Sequence, residues 1–433
     1  MTPHADASPF ASLFPIIALF TWLAVPTYAA WARGRLYATF TGVLLSFALP
    51  AALILHARLR VLLPVDWVSL LDLVFAYSMA ASGIQFAHLV NARLRSSAFR
   101  WLISVPGQTF LGAGLLAGPW LLLLLPFRLL FGALGWEGVL GAWTLLESVP
   151  LFVSVASILT SVAARSETVR FQLANEGPSK MQRMPVERHR NGEPAPLPER
   201  PLRIVQITDT HLGPWQSVAR LRRRIESLVS RDPDLVVLTG DYLTMESMGS
   251  PGCLHEALAP LGPIADRCVA IFGNHDHEAP DHVRDALDKL GIRLLMNEEA
   301  CFETEAGWVQ VVGSDFIRNG HRDHLGELLT KYPRREEHLR LLLLHDPIGF
   351  HALPENNVDL VLSGHTHGGQ VGLVSLGIDW TALSMSKWPD QGLFARGLSR
   401  LYVHRGTGFY GFPLRIGVPA EHSVLEITQA SFA

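Results

Sequence analysis

Sulfur is scarce in this chain, and lysine is missing from its first part. The three cysteines, Cys253, Cys268 and Cys301, are odd in number and form no CxxC pair. That excludes a disulfide framework and a thiolate zinc site, and fits a reducing compartment. Residues 1–170 contain no lysine, and their charge amounts to ten arginines and six acidic residues. The remaining 263 residues hold 26 basic and 33 acidic side chains, a formal charge of −7. The first part reads as membrane and the second as a soluble acidic domain, whose charge argues against a nucleic-acid partner because phosphate neutralisation needs a basic surface.

What is present in the first part is long apolar sequence. Five stretches reach the roughly 20 residues a helix needs to cross a hydrocarbon core: Phe10–Trp31, Tyr37–Leu55, Trp67–Val90, Val105–Leu125 and Val139–Ala163. Pro119, Pro126 and Gly132–Gly135 make the last two candidates for a broken or re-entrant segment. The first is not expected to be a cleaved signal, since no basic segment precedes it and further spans follow. Arg33, Arg35, Arg93, Arg95, Arg100, Arg165 and Arg170 fall on one side of these spans and Arg58, Arg60 and Arg128 on the other. The arginine bias places the C-terminal part in the cytoplasm. Asp72, Gln85 and His88 in the third span and Glu147 in the fifth are expected to face one another in the bundle or lie near its ends; a transport path or a lipid head-group site is the sharper alternative.

Residues 166–200 are rich in Pro, Glu and Arg and read as a partly flexible linker, notably "NGEPAPLPER". Within it "ETVRFQL" and "PVERHR" alternate well enough to be edge strands. From Pro201 on, short apolar strands alternate with helical stretches. "LRIVQIT" runs into Asp209 and His211, "LVVLTG" into Asp241, "CVAIFG" into Asn274 and His275, "LRLLLLH" into His345, and "VDLVLSG" into His365 and His367. Each strand thus delivers a group able to bind a metal at its end, where loops of a layered α/β fold converge. Residues two apart on an extended segment point the same way, so His365 and His367 are able to address one point or two neighbouring ones. Carboxylates, imidazoles and an amide oxygen without thiolates suit Mn, Fe, Zn or Mg. Asp209, His211, Asp241, Asn274, His345, His365 and His367 make seven donors. One ion takes roughly four to six, and two take about this many if a carboxylate bridges.

The ordered set "DTH", "GD", "GNHD", "LLLLHDP" and "SGHTHGGQ" resembles the calcineurin-like metallophosphoesterase superfamily. The form "GHTHGGQ" with the later "LYVHRGTGFYGFPLRIGVPAEHSVLEI" is similar to its membrane-associated branch, which includes UDP-2,3-diacylglucosamine pyrophosphatase-type phosphodiesterases. The resemblance implies an α/β four-layer (αββα) sandwich following the all-α transmembrane bundle. The division expected is a bundle over 1–165, a linker over 166–200 and a catalytic domain over 201–433. It also implies two divalent ions, one on Asp209, His211, Asp241 and His367, the other on Asp241, Asn274, His345 and His365, with Asp241 bridging. His275 would stand beside the phosphate and protonate the leaving oxygen, with Asp276 either orienting it or supporting the fold. Two such ions lower the pKa of a bridging water, so that hydroxide attacks phosphorus near neutral pH. Thr244 stands where relatives often carry an acidic residue, which touches only loop packing.

Around these motifs His277, His282, His321 and His404 read as solvated or supporting residues, and Arg405 is a candidate phosphate contact. Trp380, Trp388 and Phe394 follow the last motif; core packing is the plain reading and a lipid-facing lip the sharper one. Arg220, Arg222, Arg223 and Arg224 would be a solvated helix face or, beside a membrane, a site for anionic head groups. Three functions are open: hydrolysis of a phosphodiester or pyrophosphate in a lipid-linked substrate, a phosphoesterase for soluble nucleotides or phosphoproteins, and a non-catalytic metal-binding sensor or transporter.

Overall fold

A computed structural model describes residues 8–173, 176–190, 195 and 197–429. They form two compact units, one of residues up to Leu159 with Gly411–Leu414, the other of Thr160–Tyr410 with the residues from Arg415 on.

The first unit is helical, and five helices are long and apolar enough to cross a membrane: α1 Leu13–Ala32, α2 Arg35–Leu62, α3 Val65–Leu89, α4 Ser97–Ala133 and α5 Glu137–Val162. Large apolar side chains such as Phe20, Phe47, Leu122 and Phe152 point outward, as lipid rather than water requires. The prolines of α4 do not break it; the helix continues past Pro119 and Pro126. The interruption comes instead in α5, at Ser148. Pro150 cannot donate to the carbonyl of Leu146, and the indole of Trp120 does so in its place at 2.9 Å. Asp72 meets His56 at 2.8 Å and Arg60 at 3.3 Å, and Glu147 lies between Arg58 and Arg128 at 2.7 and 2.8 Å. Ser104 donates to Gln85, and His88 lies edge-on to Phe99. Each buried carboxylate thus carries its counter-charge within the bundle, the condition for keeping it at membrane depth.

The second unit is a mixed α/β sandwich. In chain order its strands are β1 Ala164–Leu173, β2 Gln182–Met184, β3 Glu187–His189, β4 Leu202–Ile207, β5 Leu235–Leu238, β6 Cys268–Ala270 and β7 Arg293–Leu294. They continue with β8 Glu298–Thr304, β9 Gly307–Gly313, β10 His338–Leu343, β11 Leu360–Ser363, β12 Gly392–Arg396, β13 Ser399–Val403 and β14 Ala420–Gln429. Two seven-stranded sheets result, ordered β3-β1-β14-β4-β5-β6-β7 and β2-β12-β13-β11-β10-β9-β8. Their facing sides share one apolar core, in which Ile204, Val237 and Leu425 of the first sheet meet Val311, Leu341 and Leu362 of the second. Helices cover the outer faces. α6 (Val218–Val229) buries Leu221, Ile225 and Leu228, and α7 (Cys253–Leu258) and α8 (Pro280–Leu290) belong to the same side of the fold. α9 (His321–Lys331) sets Leu325, Leu328 and Leu329 against Val312, Leu342 and Val361 of the second sheet.

Residues 166–200 contribute to both sheets. "ETVRFQL" lies inside β1, which is paired on both sides, with β14 and with β3, so it is not an edge strand. "PVERHR" contains β3, and β2 adds an edge to the second sheet through β12. Of "NGEPAPLPER", expected to be flexible, residues 191–194 and 196 lie outside the described residues. Strands β4, β5 and β6 run parallel, as do β9, β10, β11 and β13. Their C-terminal ends in the two sheets open onto common ground.

Candidate metal centre

Beyond the ends of β4, β5 and β11 the backbone leaves ordinary conformations. Asp209, Asp241, His211, His365 and His367 have φ between 42° and 71°. Five of the seven donors therefore sit in the left-handed region that side chains other than glycine rarely adopt, a strain that structures retain where a site needs it. The two imidazoles of "GHTHGGQ" do not lie on an extended segment, as their spacing suggests. His365 and His367 flank a tight turn, and His367 opens a short 3₁₀ helix. They consequently point to different places.

Two clusters form. In one, donor atoms of Asp209, His211 and His367 lie within 4.8 Å of one another; in the other, those of Asp241, His345 and His365 do. The Nε2 atoms of His211 and His367 face each other at 3.2 Å, and His367 Nε2 is 3.4 Å from Asp209 Oδ1. His345 Nε2 lies 3.3 Å from Asp241 Oδ2, and that same oxygen is 3.7 Å from His211 Nε2, so Asp241 stands between the clusters. Asn274 Oδ1 is buried with no hydrogen-bond partner among the described residues. A buried acceptor left so costs free energy unless something else coordinates it.

Neighbouring groups fix these side chains. His345 Nδ1 donates to the Thr239 carbonyl at 2.7 Å, and His211 Nδ1 faces the Leu243 carbonyl at 3.4 Å. A carbonyl only accepts, so in each ring Nδ1 carries a proton and Nε2 is the atom turned inward. Asp209 accepts from the His365 main-chain N–H at 3.0 Å and from Thr208 Oγ1 at 2.8 Å. Glycine is required where the loops pass closest. A Cβ on Gly273 would lie 2.2 Å from Asp241 Oδ1, and one on Gly364 2.2 Å from Asp209 Oδ2.

The electrostatics favour a cation. Burial, with the charge of Asp241, raises Asp209 to about 6. Burial would lower His345, but Asp241 and Asp209 push it up to about 10. Burial holds His211 down to about 3 and, with His211 and Arg415 nearby, keeps His367 well below the usual imidazole value. His211 and His367 are thus held neutral, the state in which imidazole binds a metal, while the proton drawn onto His345 by Asp241 and Asp209 marks carboxylates short of positive charge, which a divalent ion would supply in its place. The donor set, its geometry and the orphan amide oxygen of Asn274 all fit metal ions.

Several neighbours were not legible in the sequence. Asp276 does not touch His275; its carboxylate accepts the main-chain N–H groups of Gly273, Asp241 and Tyr242 at 2.7, 2.7 and 2.9 Å. It clamps two ligand loops together, and burial with the charge of Asp241 raises it to about 7. The partner of His275 is Glu278, whose Oε1 lies 2.7 Å from Nδ1. Burial would lower His275, but Glu278 and Asp241 outweigh it and raise its pKa. Tyr410 stacks on the same ring, with centroids 4.3 Å apart. Thr244 donates to the Leu212 carbonyl at 2.6 Å, an inter-loop tie. Arg405 is no phosphate contact: it is fully buried, 2.9 Å from Glu167 and 3.6 Å from Glu421. Arg415, also buried, donates to the carbonyl oxygens of His367, Arg405 and Gly408 and so holds the last turn in place.

Comparison with known proteins finds matches to the part of the chain that carries this centre. Residues 202–369 match the model of the calcineurin-like phosphoesterase family. The chain carries a calcineurin-like metallophosphoesterase domain. Phosphodiesterase YaeI of Escherichia coli (strain K12) is 28% identical over 233 residues, covering 52% of this chain and 82% of that protein. An uncharacterized metallophosphoesterase, YkuE of Bacillus subtilis (strain 168), is 29% identical over 233 residues, covering 52% and 78%. A transmembrane protein with metallophosphoesterase domain from Danio rerio is 32% identical over 250 residues, covering 53% of this chain and 54% of that one. The chain thus spans about half the length of its transmembrane relative. The domain match supports a metal-dependent phosphoesterase, and among the described residues five helices have the length and hydropathy to cross a membrane.

Proposed function

We propose that this protein is a membrane-anchored phosphoesterase using two divalent ions to hydrolyse a phosphodiester or pyrophosphate bond, in a lipid-linked substrate reached at the cytoplasmic leaflet. The observation that carries the reading is the pair of donor clusters with Asp241 between them. Asp209, His211, Asp241 and His367 would hold one ion, and Asp241, Asn274, His345 and His365 the other. Two such ions, when bound, supply an activated water and neutralise charge on the phosphoryl oxygens. The rest falls to the chain. With Nδ1 occupied by Glu278, His275 presents a proton at Nε2 for the leaving oxygen, and the charges of Glu278 and Asp241, which raise its pKa, favour that protonated form. Asp276 acts through the backbone, keeping the Asp241 and Gly273 loops in register. The sequence resemblance to the branch with UDP-2,3-diacylglucosamine pyrophosphatase-type enzymes supports a lipid-linked pyrophosphate, and the arginine bias of the short loops supports a cytoplasmic domain.

The test is elemental analysis of purified full-length protein together with rates in manganese on bis-p-nitrophenyl phosphate, p-nitrophenyl phosphate and a UDP-linked lipid. We expect two metals per chain, and faster turnover of the lipid than of either soluble ester. Asp241→Asn should lose both metal and turnover. His275→Ala should retain metal and lose roughly 10²- to 10⁴-fold in rate. Preference for a soluble ester would favour a substrate outside the membrane, and bound metal without turnover would favour a sensor.

A further inference from the structure

Exposed apolar side chains are unevenly spread over the second unit. Of the eight large hydrophobic residues exposed there among the described residues, six lie between residues 373 and 388: Leu373, Leu376, Ile378, Trp380, Met385 and Trp388. Leu376 and Met385 are 73% and 83% exposed. The 18 residues of 371–388 include only two charged side chains, Asp379 and Lys387. Phe394, which the sequence groups with these tryptophans, is by contrast buried under α9. A soluble surface rarely gathers this much apolar area without a partner for it.

The segment is not loose. Val374 is buried beneath it, Gly372 N–H donates to the Ile416 carbonyl, and Thr381 Oγ1 donates to Asp390 at 2.6 Å. At one end Trp388 Nε1 donates to Asp346, next to His345 of the metal centre, at 3.1 Å. At the other, Ser375 accepts from Arg165 at 3.3 Å, three residues beyond Val162, where the last membrane-type helix ends. Val162 is itself tied into the domain, its carbonyl accepting from Arg224 at 2.6 Å. The ordered apolar rim therefore runs from the residues that leave the membrane to the edge of the active site.

We infer that residues 373–388 form a lip that rests in the lipid surface, with Leu376, Ile378 and Met385 inserted and Trp380 and Trp388 at the head-group level. The lipid is the occupant because the chain at this rim has just left a membrane-spanning helix, and because apolar residues with flanking tryptophans are the composition that boundary favours. The lip deepens the reading of the site as one for a lipid-linked phosphate, since it would bring such a head group to the metals without withdrawing the tails, and to that extent it rests on that reading.

The test uses the full chain in lipid nanodiscs, on a Cys301→Ser background in which Cys253 and Cys268 stay buried. Spin labels on Leu376→Cys and Met385→Cys are compared with one on the exposed helix position Glu327→Cys. Collision with dissolved oxygen should dominate at 376 and 385, and collision with a water-soluble nickel chelate at 327. The double variant Leu376→Asp/Met385→Asp should lose about tenfold or more in rate on a lipid pyrophosphate in vesicles, through lost interfacial burial of two side chains. It should hydrolyse bis-p-nitrophenyl phosphate at the wild-type rate. Labels at 376 and 385 as open to the chelate as the label at 327 would overturn the lip whatever the activity. Shielded labels without turnover of any lipid would uphold the lip and sink the lipid-linked substrate instead.

Discussion

Glu278 offers a sharp perturbation, because it acts on the reaction only through His275. In Glu278→Gln the Nδ1 contact survives as a neutral hydrogen bond and the negative charge is lost. A hydrogen bond to a charged group contributes about 1.5–3 kcal/mol. The Glu278 side chain is 46% exposed, so solvent screening reduces the differential part to about 1 kcal/mol. At 1.36 kcal/mol per unit, that lowers the His275 pKa by somewhat under one unit. The sign is fixed: His275 must be protonated to serve the leaving oxygen, and the proton is lost as pH rises through its pKa. Removing the charge therefore moves the alkaline limb of the pH–rate profile to lower pH by that amount. Both proteins hold the same metals, so the cations' own effect on His275 cancels in the difference. The assay is kcat against pH on bis-p-nitrophenyl phosphate, with metal content measured in parallel. On the plateau the loss should be small; above the limb it should approach about fivefold. Glu278→Asp, whose shorter reach weakens the contact but keeps the charge, should recover part of the shift. An unmoved limb, or a loss equal at every pH, would refute His275 as the proton donor.

Other consequences are as direct. Gly273→Ala and Gly364→Ala press a methyl group onto Asp241 and Asp209 respectively, so by elemental analysis Gly364→Ala should reduce bound metal from two toward one per chain and Gly273→Ala should weaken both ions, each with a folding cost of about 1–3 kcal/mol. Glu421 lies buried beside Arg405, Arg188 and His404, so Glu421→Ala should cost about 3–5 kcal/mol, read as a lower urea midpoint in detergent. Burial would raise the Glu421 carboxyl, but His404, Arg405 and Arg188 outweigh it and hold its pKa well below the usual 4.5. Its stabilisation is thus present above pH 4.5 and lost as pH falls below it, a limb that the Glu421→Gln variant should lack. Asp276→Asn turns an acceptor of three main-chain N–H groups partly into a donor, and should lower metal occupancy; as the Asp276 charge also helps raise His275, its pH limb should move to lower pH, by less than in Glu278→Gln.

How far the sequence reaches depends on how local the controlling interaction is. Five apolar runs of spanning length are written in consecutive residues, and the described residues form five helices of that kind, because length and hydropathy belong to a segment alone. A donor at the end of each of five strands is equally local, since each strand carries its own apolar pattern and each loop its own polar residue. Where the helix breaks is less so: Pro119 and Pro126 pass unnoticed in α4, while the gap near Pro150 is stabilised by Trp120 from another helix.

The centre itself depends on distance in the chain. That His365 and His367 part company follows from left-handed backbone at both, which the extended reading of their spacing misses. Which carboxylate meets which imidazole is set by how two sheets, assembled from strands up to about 250 residues apart, face each other across one core. The same long-range pairing draws β1 out of an apparent linker, gives Asp276 to the backbone and Glu278 to His275, and sinks Arg405 among carboxylates. Sequence determined the kinds of groups available and the strand ends that carry them, because periodicity and side-chain chemistry act over a few residues. Only the tertiary structure decided who faces whom, because burial and Coulomb interaction act through space and take no account of separation along the chain.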